Sequence, residues 1–252
     1  MLADSIDEVL ARLDEIIATA RRERQRFGYF AMLYRNVTAE VKAGIAAGRF
    51  ENGARMERLD VIFANRYLEA YEQYRNAQQS SLVWQTAFAA SANWRPLILQ
   101  HVLLGINAHI NFDLGIAAAE TSPGDELPAL KNDFNEINNI LASMIDEVQR
   151  RIGTVSPFLA LLDHTGGRSD EAVIKFSLQI ARRAAWKAAT QLAAANVNER
   201  ERLIATLDRQ ANKLANRISQ PGRWLSFVAL IIRSAETASV DTVLDALAGA
   251  ET

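Results

Sequence analysis

The stretch LQHVLLGINAHINFDLGIAAA, residues 99–119, constrains this chain more than any other. It has no proline and no strict alternation of polarity, so it reads as one helix. On a wheel of about 100° per residue started at His101, Leu103, Ile110 and Leu114 gather near about 200°. Gly105, Ala108, Phe112 and Ile116 take the opposite side. Between these apolar faces run two polar stripes, His109 with Asp113 near about 100° and Gln100 with Asn107 and Asn111 near about 260°. A helix apolar on two opposed faces belongs at the centre of a fold. Its polar groups then need partners, because a buried amide or imidazole left unpaired costs about 1–3 kcal/mol.

The rest of the chain reads as more helices. Five prolines and twelve glycines punctuate 252 residues, and helical periodicity dominates between them. Ile6, Val9, Leu10, Leu13, Ile16, Ile17 and Ala20 form one apolar stripe. Helices are expected over 29–47, ending at Gly48, over 54–77 and over 82–91. TSPGDELP reads as a loop. A helix over 129–151 follows, with Gly153 as its stop. Ser156 and Pro157 suit the start of a short helix reaching about His164. A long helix is expected over 170–194. Asn198 with Glu201 gives a capping-box start to the next one, which ends before Pro221. Two shorter helices finish the chain. The expectation is an all-α protein, a single helical domain over 1–252 with nine or ten helices packed around a central helix at 97–119.

Composition removes several classes of function. The formal net charge is −2, without the basic excess of a nucleic-acid binder. There is no cysteine, which excludes disulfides, zinc–thiolate sites and thiol nucleophiles. The acidic start MLADSIDEVLARLDE is unlike a signal peptide, and the C-terminal apolar run LSFVALII is too short to span a bilayer. A cytoplasmic protein with no membrane or nucleic-acid partner is the expectation. Homodimerisation through exposed apolar stripes is compatible with it.

His109 and Asp113 are the sharpest candidates. At i and i+4 they project to one place. That spacing suits one divalent metal shared by an imidazole and a carboxylate, and equally a carboxylate orienting a histidine as general base. It also suits a pair that only fixes helix packing. The chain has three histidines. His101 stands two turns before His109, and His164 adjoins Asp163. Asp133, at the edge of the apolar face in LKNDFNEINNIL, is the next expected metal ligand, and Asp60 a further one. Asn107 and Asn111 are candidate substrate-binding groups or braces between helices. Arg182, one turn before Trp186 in IARRAAWKAATQLA, reads as a cation stacked on an indole or offered to an anionic substrate. Gly105, in mid-helix, marks the close approach of another helix or of a ligand. There is no Gly-x-Ser-x-Gly elbow, phosphate loop, dinucleotide fingerprint, His-Glu-x-x-His or paired Glu-x-x-His.

LQHVLLGINAHINFDLGIAAA, with LKNDFNEINNIL and ARRAAWKAA downstream, resembles a family of uncharacterised helical proteins defined only as a domain of unknown function. The resemblance covers most of the chain. It implies an all-helical fold and points to Gln100, His101, Asn107, His109, Asn111 and Asp113 as its signature positions. The His-x-x-x-Asp pair is also similar to that of helical zinc-dependent phospholipase C and single-strand nuclease enzymes. Those are rich in histidine and carry a further His-x-x-x-Glu, which this chain lacks.

The first functional expectation is therefore an enzyme with a buried site on the central helix. His101, His109, Asp113 and Asp133 would hold zinc, iron or manganese to hydrolyse a small ester or phosphoester. The second is a metal-free acid–base enzyme, an isomerase or cyclase of a small hydrophobic substrate. The third is a binding or scaffold protein whose polar centre fixes helix register.

Overall fold

The computed structural model describes residues 2–158, 178–237 and 239–249, without the side chains of 142, 145, 146 and 223–225. Among these residues the protein is all helical, with eleven α-helices and no strand. They are α1 (Ile6–Glu23), α2 (Phe27–Ala46), α3 (Gly53–Arg75), α4 (Leu82–Ser91), α5 (Ile98–Ala108), α6 (Leu114–Thr121), α7 (Lys131–Val155), α8 (Leu178–Ala194), α9 (Val197–Ser219), α10 (Arg223–Ala235) and α11 (Val240–Ala248). A π-helical turn, His109–Asp113, joins α5 to α6, so the expected central helix is one rod with a widened turn in its middle.

Local chemistry sets most boundaries. Ser5, Asn52 and Ser239 accept hydrogen bonds from backbone N–H groups three residues on and start α1, α3 and α11. Asn196 and Glu199 form the capping box of α9, two residues earlier than the sequence suggests. TSPGDELP is only briefly a loop, because Gly124–Leu130 coils into a 3₁₀ helix. Helix α7 runs through Gly153 to Val155, since a glycine within a packed helix costs only about 1 kcal/mol and does not break it. The short helix expected after Pro157, His164 and residues 170–177 lie outside the described residues.

Several helix starts are capped from a distance. Asp208 of α9 accepts from the N–H groups of Leu82 and Val83 at the start of α4. Buried Glu236, just after α10, accepts from the N–H of Ile98 at 3.1 Å and from the Ser156 hydroxyl at 2.6 Å. A carboxylate at a helix N-terminus meets both free N–H groups and the positive end of the dipole.

The central rod lies between two buried clusters. One joins α1, α2, α4 and α11 through Leu13, Phe30, Trp84 and Leu244. The other joins α3, α6, α7 and α8 through Met56, Leu114, Phe134 and Ala185. Two rod glycines permit this. A Cβ on Gly105 would lie 2.2 Å from Phe30, and one on Gly115 would lie 2.8 Å from the Ala185 carbonyl of α8. Ala185, Ala188 and Ala189 give α8 the same closeness from their side. Ile98–Thr121 is long and apolar enough to cross a membrane by length and composition, and 83% of that window is buried inside the fold.

Candidate functional site

The π turn sets the site. The N–H of Leu114 bonds to the His109 carbonyl five residues back, which widens the helix there; such turns are frequent at functional positions. His109 and Asp113 still meet, with Nδ1 at 3.3 Å from Oδ2. Asp113, 1% exposed, also accepts from Arg66 Nε at 3.0 Å and from the Trp84 indole N–H at 2.9 Å. A carboxylate can only accept, so the His109 hydrogen sits on Nδ1 and Nε2 keeps its lone pair. Burial lowers the His109 pKa below its usual value against the opposing pull of Asp113, so the ring is neutral at pH 7. Its Nε2 is buried and has no hydrogen-bond partner.

An aromatic cage surrounds that ring. Phe63 stacks on it at 3.5 Å between centroids, Tyr34 meets it edge-on at 4.4 Å, and Phe30 stands at 5.7 Å. These side chains form one wall of a cavity of about 550 Å³ between α2, α3, the rod, α7 and α8. The volume falls within the range of small-molecule sites. The rest of the lining is almost wholly aliphatic, including Val37, Leu103, Ile106, Ile137 and Leu141. Asp60 also lines it, one turn before Phe63 on α3. Burial, reinforced by Glu57, raises the Asp60 pKa to about 7, and its Oδ2 has no partner. Polar Gln149 and Gln179 are the exposed part of the lining, and Arg182 enters the cavity from α8.

The second polar stripe has a different fate. Asn107 Nδ2 donates to the Ala211 carbonyl at 3.0 Å, and Asn111 Nδ2 donates to Asn107 Oδ1 at 3.0 Å. Gln100 Nε2 donates to the Ile218 carbonyl at 2.6 Å. Gln100 and Asn107 brace α9 against the rod, Asn111 holds Asn107 in place, and none of the three lines the cavity. Arg182 stacks on Phe134 at 4.4 Å, not on Trp186, whose indole carries Lys131 at 4.1 Å. Spacing along α8 could not show this, because α7 supplies the nearer ring. Trp186 lies outside the cavity lining.

The metal set expected from sequence is not brought together. His101 packs edge-on against Tyr29 at 5.9 Å, and burial lowers its pKa to about 3. Asp133 accepts from the N–H groups of Glu51 and Asn52 at 2.6 and 3.2 Å and from Arg55 at 2.7 Å, tying α7 to the start of α3. Both Asp113 oxygens are engaged by Arg66, Trp84 and His109. Among the described residues no group of three or more His, Cys, Asp or Glu side chains is placed to hold a metal ion. The residues present do not fit that metal centre.

Sequence reasoning missed Arg66, Trp84 and Tyr34. Arg66 gave one signal, a cation next to Tyr67 on the buried stripe of α3. Nothing in LVWQTAFAA marks Trp84 as a partner for Asp113. Comparison with known families places one model, Family of unknown function (DUF5995), over residues 6–221. No curated protein and no solved structure matches the chain.

Proposed function

The chain belongs to the DUF5995 family of unknown function, and we propose that it is an enzyme that moves a proton on a small, mainly apolar substrate held in the cavity beside His109. The carrying observation is His109 itself, whose Nδ1–H is fixed on Asp113, whose basic Nε2 is buried without a partner, and which lines the cavity. A neutral imidazole held by a carboxylate is the arrangement a general base needs. Nε2 takes a proton from carbon, and the imidazolium that forms faces a carboxylate already braced by Arg66 and Trp84. The same nitrogen returns the proton at a neighbouring atom, which completes an isomerisation or cyclisation. Asp60, with a pKa of about 7, is partly protonated at neutral pH and donates a hydrogen bond to a polar atom of the substrate. Entry displaces the Tyr34 ring, which covers His109 at 4.4 Å.

The test is solvent exchange. The protein is incubated in D₂O with a panel of apolar carbonyl compounds and hydrocarbon-rich acids, and mass spectrometry reads deuterium bound to carbon. Exchange by the wild type and none by His109→Gln is the expected result. Exchange that survives His109→Gln overturns the assignment. Near-stoichiometric zinc, iron or manganese in protein purified without a histidine tag, lost in His109→Ala, would replace it with metal-assisted hydrolysis.

A further inference from the structure

Arg182 is 4% exposed, and among the described residues no carboxylate lies within ion-pair distance of it. The other deeply placed cations near the core are paired, Arg55 with Asp133 at 2.7 Å and Arg66 with Asp113 at 3.0 Å. The Arg182 partners among the described residues are neutral. Nε donates to Asn138 Oδ1, and Nη2 donates to the Phe134 carbonyl. These two bonds and the Phe134 ring fix the plane of the guanidinium. They use two of its five donors and leave Nη1 without a partner among the described residues. Burial lowers the pKa to about 9, so the group keeps its charge at neutral pH. A buried cation with no carboxylate partner among the described residues is costly in a fold that pairs its neighbours.

The surroundings have two characters. On one side Arg182 opens into the apolar cavity, beside Leu178, Ile137 and Leu141. On the other it joins a smaller polar recess shared with Lys131, Asn135, Asn138, Gln179 and Arg183. The cavity therefore has aliphatic walls and a cationic end. That pattern recognises an amphiphile with one anionic head and one apolar body.

We infer that the cavity binds an apolar carboxylic acid, its carboxylate on the Nη1 edge of Arg182 and its hydrocarbon body along the aliphatic wall toward His109. A planar guanidinium already oriented by Asn138 and Phe134 matches a planar carboxylate, with Gln179 beside it. This deepens the proton-transfer reading by naming the substrate class and rests on it only for the chemistry at His109.

The experiment is calorimetric titration of the full chain with dodecanoate, dodecanol, dodecyl phosphate and dodecylammonium below their micelle concentrations. One dodecanoate per chain is expected, bound about 10- to 100-fold tighter than dodecanol, as a charge-assisted contact supplies. Arg182→Gln should bring the acid down to the alcohol, and Arg182→Lys should restore part of the difference. Should Arg182→Gln fail to fold, Leu141→Trp, which fills the wall and leaves the cation in place, must abolish binding of both acid and alcohol. Equal binding of acid and alcohol to the wild type overturns the inference, as does dodecanoate binding unchanged in Leu141→Trp. Tighter binding of the phosphate than of the carboxylate overturns the carboxylate assignment in favour of a phosphate head. Binding of dodecanoate to His109→Gln within about threefold of wild type, with no deuterium exchange by either protein, would uphold the ligand class and reject the catalytic reading.

Discussion

Two polar stripes run along opposite sides of the central rod, and both are buried or half-buried in the fold. Gln100, Asn107 and Asn111 have partners within reach, and two of those partners are carbonyls of α9. His109, on the other stripe, leaves one nitrogen buried without a partner, and Asp60 across the cavity leaves one oxygen. The first cluster spends its hydrogen-bonding capacity on holding the fold. The second keeps some in reserve at the wall of a cavity. Buried polarity is thus no guide to function until its pairing is counted, because natural cores satisfy nearly all their buried polar atoms.

Substitutions can sharpen that contrast. His109→Gln should lower the proton-transfer rate by about 10²- to 10⁴-fold, read as loss of deuterium exchange, while leaving the denaturant midpoint near wild type. A midpoint that falls as far as the rate would place His109 with the asparagines. Asp113→Ala should be the most destabilising single change, about 3–5 kcal/mol by urea unfolding, because it strands the Arg66 guanidinium and the Trp84 N–H together.

Asp60 gives a pH signature. Its folded pKa of about 7 lies above the ordinary 3.8, so the native state holds the proton more tightly than the unfolded chain. Its contribution is whole below about pH 4 and is lost as pH rises through about 7. His109, lowered by burial, works in the opposite sense and costs stability as acid protonates the unfolded imidazole first. Asp60→Asn should therefore make the protein more stable at pH 8 relative to pH 5 than wild type is, by on the order of 2 kcal/mol across parallel urea titrations. An unchanged slope would show that Asp60 is ordinary. Asn107→Ala should have the smallest effect on the cavity. The Ala211 carbonyl lies within α9 and keeps its helical partner, and Asn111 is half-buried, so two net hydrogen bonds are lost at about 1 kcal/mol each, with dodecanoate binding untouched.

The helices were legible because the apolar residues of α1, α3 and α7 repeat at helical spacing, and Leu82–Ser91 falls where periodicity puts it. The central position of 97–119 was legible for the same reason. The π turn was not, since a wheel of constant angle has no place for one widened turn. The contact between His109 and Asp113 was legible because both lie on one element. Asp133 and Arg182 were assigned to the wrong neighbours because theirs come from other helices, the start of α3 for one and Phe134 for the other. Arg66 and Trp84 were missed for that reason too.

The likeness to the family stops at residue 221, yet Glu236 lies beyond it and closes the N-terminus of the rod that carries His109. Leu244 and Leu247 of α11, also beyond it, are buried in the main core. A truncation drawn at the family boundary would open the molecule at both places and expose apolar surface on α2 and α7 that α11 now covers. This chain trimmed to that boundary should aggregate where the whole chain keeps its cavity intact.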